Sequence, residues 1–415
     1  MNTSFYALII LIIVATIITI LLLILKDTST TSEVQAVAVG LPADSTDTVI
    51  DGHPCMLYSY DGKTWNRTTG TSFNYGANSF YSNGGAGYGN NLWVAAGHNI
   101  DTENNILYSS NGINWEPASM TGGASIFYNG NTDNHRRRGN NAFYANNLWL
   151  ALGKSENSNN ILYSSNGINW EPASMTGGTS SIFPGSSILN GAMDVAYGKD
   201  KWVAVGHDEN NNNILYSTNG ISWQLARMSG GTSPFIASTT SGANQTGGLG
   251  VTYDSSTSTW YAVGGATDGN NILSSSDGIC WQVVNAEVDG LSFFPNGAFD
   301  IFYSNEKDAF LATGTSIGGD NLLFTKNPAH WEDTILSNGI STPFSGAKLD
   351  GLAVTYSNNL NLWLAGGGAP VDQKGGTVLN SSNGTSWNTT IMTNGTSYPF
   401  GDSQFSVAFD VAVRN

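Results

Sequence analysis

The segment NNILYSSNGINWEPASMTGG occurs twice in this 415-residue chain without a change, at Asn104–Gly123 and at Asn159–Gly178. Weaker copies run the length of the sequence. They are MLYSYDGKTW ending at Trp65, ILYSTNGISW at Trp223, ILSSSDGICW at Trp281, LLFTKNPAHW at Trp331 and VLNSSNGTSW at Trp387. The seven copies lie 50 to 58 residues apart. A period of this size belongs to a repeat architecture in which one supersecondary unit recurs.

A second motif precedes each copy. It reads LWVAAG at Leu92–Gly97, LWLALG at Leu148–Gly153, KWVAVG at Lys201–Gly206, TWYAVG at Thr259–Gly264, AFLATG at Ala309–Gly314 and LWLAGG at Leu362–Gly367. The first copy is reduced to AVAVG at Ala36–Gly40. The two motifs together use all 12 tryptophans, so every Trp is accounted for by packing. Each unit reads as four strands: a small apolar strand such as GAMDVAY (Gly191–Tyr197), the WVAVG strand, the ILYSS strand, and a strand entered through an Asn-Gly or Asp-Gly turn and carrying the Trp. Alternating apolar residues mark the strands, and Asn-Gly between apolar runs is the strongest short hairpin signal. Four strands in about 50 residues is one propeller blade, and the expected fold is an all-β, seven-bladed β-propeller of four-stranded blades.

The ends of the chain predict how the ring closes. The first unit lacks a GAMDVAY-like strand, whereas the last is followed by VAFDVAV at Val407–Val413, similar to GAFDIFY at Gly297–Tyr303. Residues 405–415 are therefore expected to complete blade 1, which removes two open sheet edges. The domain plan is an N-terminal anchor over 1–26, a linker over 27–33 and the propeller over 34–415. The anchor is Phe5–Leu25, 21 residues without a charge. That length crosses a bilayer core of about 30 Å as a helix, and it exceeds the apolar run of a cleaved signal. A single-pass membrane protein is expected. Lys26 weakly favours a cytoplasmic ring, while the glycosylation sequons at Asn66, Asn244, Asn380, Asn383, Asn388 and Asn394 point the other way. The side of the membrane stays open.

Composition narrows the function classes. A formal net charge of −16 argues against nucleic acid, which needs a basic face. Two cysteines, Cys55 and Cys280, in non-adjacent repeats exclude a disulfide-stapled fold. The five histidines have no metal spacing, and no nucleophile elbow or phosphate loop is present, so no cofactor is expected.

The S-x-[D/N]-G-x-x-W turns resemble the Asp-box of sialidase-like (BNR) repeat propellers, in all seven units, with the sixth degenerate and with Asp/Asn adjacent to Gly where that family has one residue between them. The resemblance implies a fold, because the box is a structural turn in that family. Sialidase chemistry needs three arginines from separate blades, and this chain has only six: Arg67, Arg136, Arg137, Arg138, Arg227 and Arg414. The near-identical units and Asn-rich loops also look like repeat proteins of large DNA viruses.

Four sets of residues are candidates for a site. Asp194, Asp300 and Asp410 share one position in the innermost strands of blades 4, 6 and 1. They approach the channel mouth, either as acids or as carboxylates bonded to backbone amides of the next blade, and they are expected to be too dispersed for a glycosidase pair. Replacing them by Asn is expected to weaken the ring. Glu103, Glu156, Glu209, Asp268 and Asp320 recur in the loops from strand 2 to strand 3, as cation ligands or solvated turns. One aromatic per unit follows a Gly-x-Ser element: Phe73, Phe127, Phe183, Phe235, Phe294, Phe344 and Phe400, as a binding surface or as plugs between blades. Arg136, Arg137 and Arg138 form the single basic loop cluster. The expected function is a non-enzymatic binding or scaffold module for a protein or glycan held at a membrane. The alternatives are a glycan-acting hydrolase or lyase with carboxylates at the channel mouth, and a structural virion or envelope protein.

Overall fold

A computed structural model of the chain describes residues 33–41, 55–73, 84–98, 105–121, 127, 138–155, 160–177, 182–184, 191–208, 210, 212–230, 235, 247–265, 271–288, 290–295, 297–315, 321–339, 344, 351–368, 376–393, 399–400 and 406–415. The predicted membrane segment Phe5–Leu25 lies outside them, and among the described residues no helix is long and apolar enough to cross a membrane. Residues Val34–Asn415 gather into one compact unit.

That unit is a seven-bladed β-propeller. Blade 4 shows the pattern: an inner strand Gly191–Gly198, then Lys201–His207, Ile214–Ser217 and Ser222–Leu225, each antiparallel to the one before. The inner strands of the other blades are Val407–Val413 (blade 1), Gly85–Gly89 (2), Arg138–Ala145 (3), Gly247–Asp254 (5), Ala298–Ser304 (6) and Gly351–Ser357 (7). Each inner strand packs on the inner strand of the blades before and after it, through the full cycle. Blade 1 takes its inner strand from the C-terminus: Val407–Val413 runs antiparallel to Ala36–Leu41, with Ala36 opposite Val413 and Val39 opposite Asp410.

The blades have five strands where the sequence predicts four. The extra strand is a two-residue arm that leaves one blade and pairs in parallel with the outer strand of the next. Ser174–Met175 joins Ser222–Leu225 of blade 4, and Ile391–Met392 from blade 7 joins Thr64–Arg67 of blade 1. In blade 6 a second short strand, Leu291–Ser292, adds a sixth. The arm is not legible in the sequence because two residues carry no periodicity, and its partner lies in the next blade. It covers outer sheet edges that would otherwise be exposed.

The repeated motif builds its own turn. In blade 2 the Ser109 hydroxyl donates to Asn111 Oδ1 (3.0 Å) and accepts the Gly112 N–H (2.9 Å), while Asn111 Oδ1 accepts the N–H groups of Ile113 and Asn114 (both 2.9 Å). Gly112 has φ +74°, a conformation that glycine adopts at no steric cost. The indole N–H of Trp115 then donates to the Gly112 carbonyl (3.2 Å). The same bond set holds blades 3, 4, 5 and 7. All 12 tryptophans are at most 2% exposed, and the seven apolar clusters that they anchor form the core between and within blades.

Candidate functional site

The inner strands carry the candidate site, and in six of the seven a bulge near the start of the strand shapes it. Opposite Val205 the register of blade 4 slips between Ala192 and Asp194, leaving Met193 as the extra residue. Blades 1, 3, 5, 6 and 7 slip at the same place. Blade 2 pairs without a slip. The residue that follows each bulge, or its equivalent, is Asp410 in blade 1, Gly85 in 2, Asn141 in 3, Asp194 in 4, Gly250 in 5, Asp300 in 6 and Ala353 in 7.

Each of the three carboxylates reaches across a seam to the next blade. Asp410 Oδ2 accepts the N–H of Ala86, Asp194 Oδ2 that of Val251, and Asp300 Oδ2 that of Val354, all at 2.9 Å. The receiving position is Gly85, Gly250 or Ala353. A Cβ on Gly85 would stand 2.9 Å from Asp410 Oδ2, whereas one on Gly250 would meet blade 6, 2.8 Å from the Asp300 Cα. An acid and a small residue occupy the two ring positions joined by each of these three seams. Asn141 belongs to the same ring: its Nδ2 donates to Asp194 Oδ1 (2.8 Å) and its Oδ1 accepts the N–H of Ala142 (2.7 Å). Asp300 Oδ1 accepts the N–H of Ile301 in the same way (2.7 Å).

Electrostatics sets the charge of this ring. Burial pushes Asp194 up to about 7, although three N–H donors favour its ionised form; the charge of Asp410 adds to the rise. Burial and the charges of Asp194 and Asp410 hold Asp300 well above the usual carboxylate range. Burial raises Asp410 to about 6. The three side chains keep a partial opening to the middle of the ring, yet the atoms around them are protein, so a negative charge loses most of its water. Asp194 feels the charge of Asp410, and Asp300 feels the charges of both Asp194 and Asp410.

The seven phenylalanines are plugs, and the binding-surface reading is set aside. Phe73, Phe127, Phe183, Phe235, Phe294, Phe344 and Phe400 are each 5% exposed or less. Five of them, at 127, 183, 235, 294 and 400, sit at positive φ. The side chain lies against the Gly that ends the WVAVG strand: a Cβ on Gly97 would meet the Phe73 ring at 2.7 Å, and one on Gly40 the Phe400 ring at 2.7 Å. The Asn that opens the ILYSS strand fixes the plug's backbone, for Asn160 Nδ2 donates to the Phe183 carbonyl (2.9 Å), Asn213 to Phe235 (2.8 Å) and Asn271 to Phe294 (2.6 Å). This clamp was missed at the sequence level, though the recurring Asn before Ile-Leu was its signal. Phe344→Ala is expected to cost about 4 kcal/mol, measured by denaturant unfolding, because nothing nearby can fill the cavity.

The remaining candidates divide by position. Glu103, Glu156, Glu209, Asp268, Asp320, Arg136, Arg137, Asn244 and Asn394 lie outside the described residues. Arg138 opens the inner strand of blade 3, opposite Lys154. Asn388 and Asn383 are exposed; Asn383 Oδ1 also accepts two turn N–H groups. Asn66 is half-buried, and its Oδ1 accepts the Thr393 hydroxyl (2.6 Å). Asn380 is 5% exposed and its amide donates to the Asn388 carbonyl, so in the folded ring it is not an acceptor for a glycan. Neither Cys55 nor Cys280 is part of a disulfide. Among the described residues no group of three His, Cys, Asp or Glu side chains is arranged to hold a metal ion.

Fold and site together define a seven-bladed propeller with an inner carboxylate ring. No protein-family model matches the chain, and no curated protein matches it in sequence. Solved structures similar to it include a 6-phosphogluconolactonase candidate from Bacteroides uniformis, 11% identical, with TM-score 0.49, covering 92% of this chain and 99% of that one. A quinonprotein alcohol dehydrogenase-like protein from Bacteroides thetaiotaomicron is 9% identical, with TM-score 0.49, covering 92% of this chain and 79% of that one. A protein from Lactobacillus plantarum is 8% identical, with TM-score 0.46, covering 90% and 99%.

Proposed function

We propose that this chain is a membrane-anchored, non-enzymatic binding or scaffold module for a protein or glycan ligand. The observation that supports this best is the use made of the carboxylate ring. Asp194, Asp300 and Asp410 each give an oxygen to a neighbouring blade's backbone, so they act as structural acceptors before they can act as acids. The tryptophans, the Gly-x-Ser phenylalanines and the turn Asp/Asn residues are likewise engaged in packing or turns. Recognition then falls to the loops, which is where scaffolded binding residues usually sit. We read the Ser–Asp/Asn–Gly turn as an Asp-box-like turn shortened by one residue, in a non-catalytic propeller; a structural role in a virion or envelope would use the same surface. A glycan array probed with the full chain tests the reading, and retention of a glycan without its cleavage is the expected result.

The enzyme reading has one observation in its favour: Asp194 at about 7 is poised near neutrality, as a general acid should be. An activity on glycans that Asp194→Asn removes while the melting temperature holds would replace the binding reading with this one. For the anchor, the full chain is expected to stay with membranes after alkaline carbonate washing, with its N-terminus at or near Met1. Recovery of a soluble chain starting near Val34 would show instead that the apolar run is a removed signal.

A further inference from the structure

We infer that the inner ring is proton-operated: three acids that bridge seams of one ring cost more as charged groups than their N–H bonds return, so the propeller is most stable in mild acid and loses stability as the pH rises through neutrality. The inference starts from geometry. Three seams of the ring, from blade 1 to 2, 4 to 5 and 6 to 7, are bridged by one oxygen of a single carboxylate on one backbone N–H. In each case the ring position of the next blade is Gly or Ala, and the bridging acid is half-buried. The seam from blade 3 to 4 is bridged by amides: Asn141 Nδ2 to Asp194, and Asn140 Nδ2 to the Ala192 carbonyl (2.7 Å). The ring thus contains its own neutral version of the clasp, since Asn141 occupies the equivalent position and accepts its own neighbour's N–H as Asp300 does.

The groups facing each acid fix the direction. Asp194 meets the N–H groups of Val251 and Val195, the Asn141 amide and the charge of Asp410. Asp300 meets the N–H groups of Val354 and Ile301 and the charges of Asp194 and Asp410. Asp410 meets the N–H groups of Ala86 and Val411. The named charges are all negative, and burial outweighs the N–H donors. An unfolded Asp titrates near 3.9, whereas in the fold Asp410 and Asp194 titrate near 6 and 7. Between those limits the folded ring binds more protons than the unfolded chain, so stability falls as pH rises from about 4 to about 7 and is lowest above that window. The turn acids work in the opposite sense. Burial would raise Asp61 and Asp277, but N–H donors hold both below the ordinary value, so their contribution is present above about pH 4 and is lost on further acidification. Maximum stability should therefore fall on the acid side of neutrality.

The test is thermal unfolding of the full chain, followed by tryptophan fluorescence between pH 4.5 and 8. The wild-type melting temperature is expected to decrease across this range. Asp194→Asn should gain about 5 °C on the wild type between pH 4.5 and pH 8, because the amide never carries charge; its NH2 faces the donor of either Val251 or Asn141, a loss that is the same at every pH. Infrared spectra give a readout that does not depend on the variants' folding: at pH 6 the native chain should show protonated-carboxyl absorption that disappears on alkaline titration. A wild-type melting temperature that rises toward pH 8, an Asn variant that gains nothing on the wild type across the range, or no protonated-carboxyl band at pH 6 would each overturn the inference.

Discussion

Deletion of residues 405–415 is expected to abolish the cooperative melting of the ring and to leave an aggregating protein. Val407, Ala408, Val411 and Ala412 are buried, and their strand supplies the inner edge partner of Ala36–Leu41. Its loss opens blade 1 on one side and blade 7's contact on the other, exposing unpaired backbone. Asp410, the clasp to Ala86, leaves with it. So do the bonds that seat the terminus: the Arg414 N–H to the Gln35 carbonyl (2.9 Å), the Asn359 amide to the Arg414 carbonyl (2.9 Å) and the Asn358 N–H to Asn415 Oδ1 (2.7 Å). The second closure, Ile391–Met392 on Thr64–Arg67, involves two residues and cannot hold the ring by itself. Because Val413 lies opposite Ala36, moving residues 406–415 to a position just before Gln35, through a short hairpin loop, should restore the melt. A truncated chain that melts like the full one, or a transposed strand that rescues nothing, would show that the ring closes in another way.

The second large effect is expected at the turn tryptophans. Trp223→Ala should destabilise the ring by about 4 kcal/mol, read from the denaturant midpoint, with Trp223→Phe costing less. The side chain is fully buried and its N–H donates to the Gly220 carbonyl (3.1 Å). Its removal leaves a cavity beside Ala204, Leu215 and Val195, and an acceptor without its donor. The same change at Trp170 should cost a similar amount, since the blade repeats the bond at 3.2 Å. A loss below about 1 kcal/mol would mean that the core can collapse into the space, against the close packing argued here.

The carboxylates show where sequence reasoning reached and where it stopped. Their common position in three inner strands was readable, and so was the option of a bond to the next blade's amides. Their charge state was not. From the sequence, Asn in place of Asp should weaken the ring by removing a strong acceptor. In the fold the acids are half-buried and Asp194 and Asp300 also feel like charge from the ring, so a proton-operated ring is expected to show the opposite sign at neutral pH. The phenylalanines followed the same course: their recurrence was visible, but only the glycine surface opposite them shows that they point inward.

What the sequence by itself determined is everything that depends on neighbours within one repeat. The Ser–Asp/Asn–Gly turn, the Trp register, the four main strands of each unit and the missing first strand all follow from local spacing, because hairpins are local and seven copies repeat the message. What only the tertiary structure decided lies between repeats: the exchanged arm, which is too short to have a pattern; the Asn clamp on the plug; Asn141 and the small residues Gly85, Gly250 and Ala353 as parts of one ring; and the burial of that ring's acids. These depend on distances across seams and on the exclusion of water, which no linear spacing encodes.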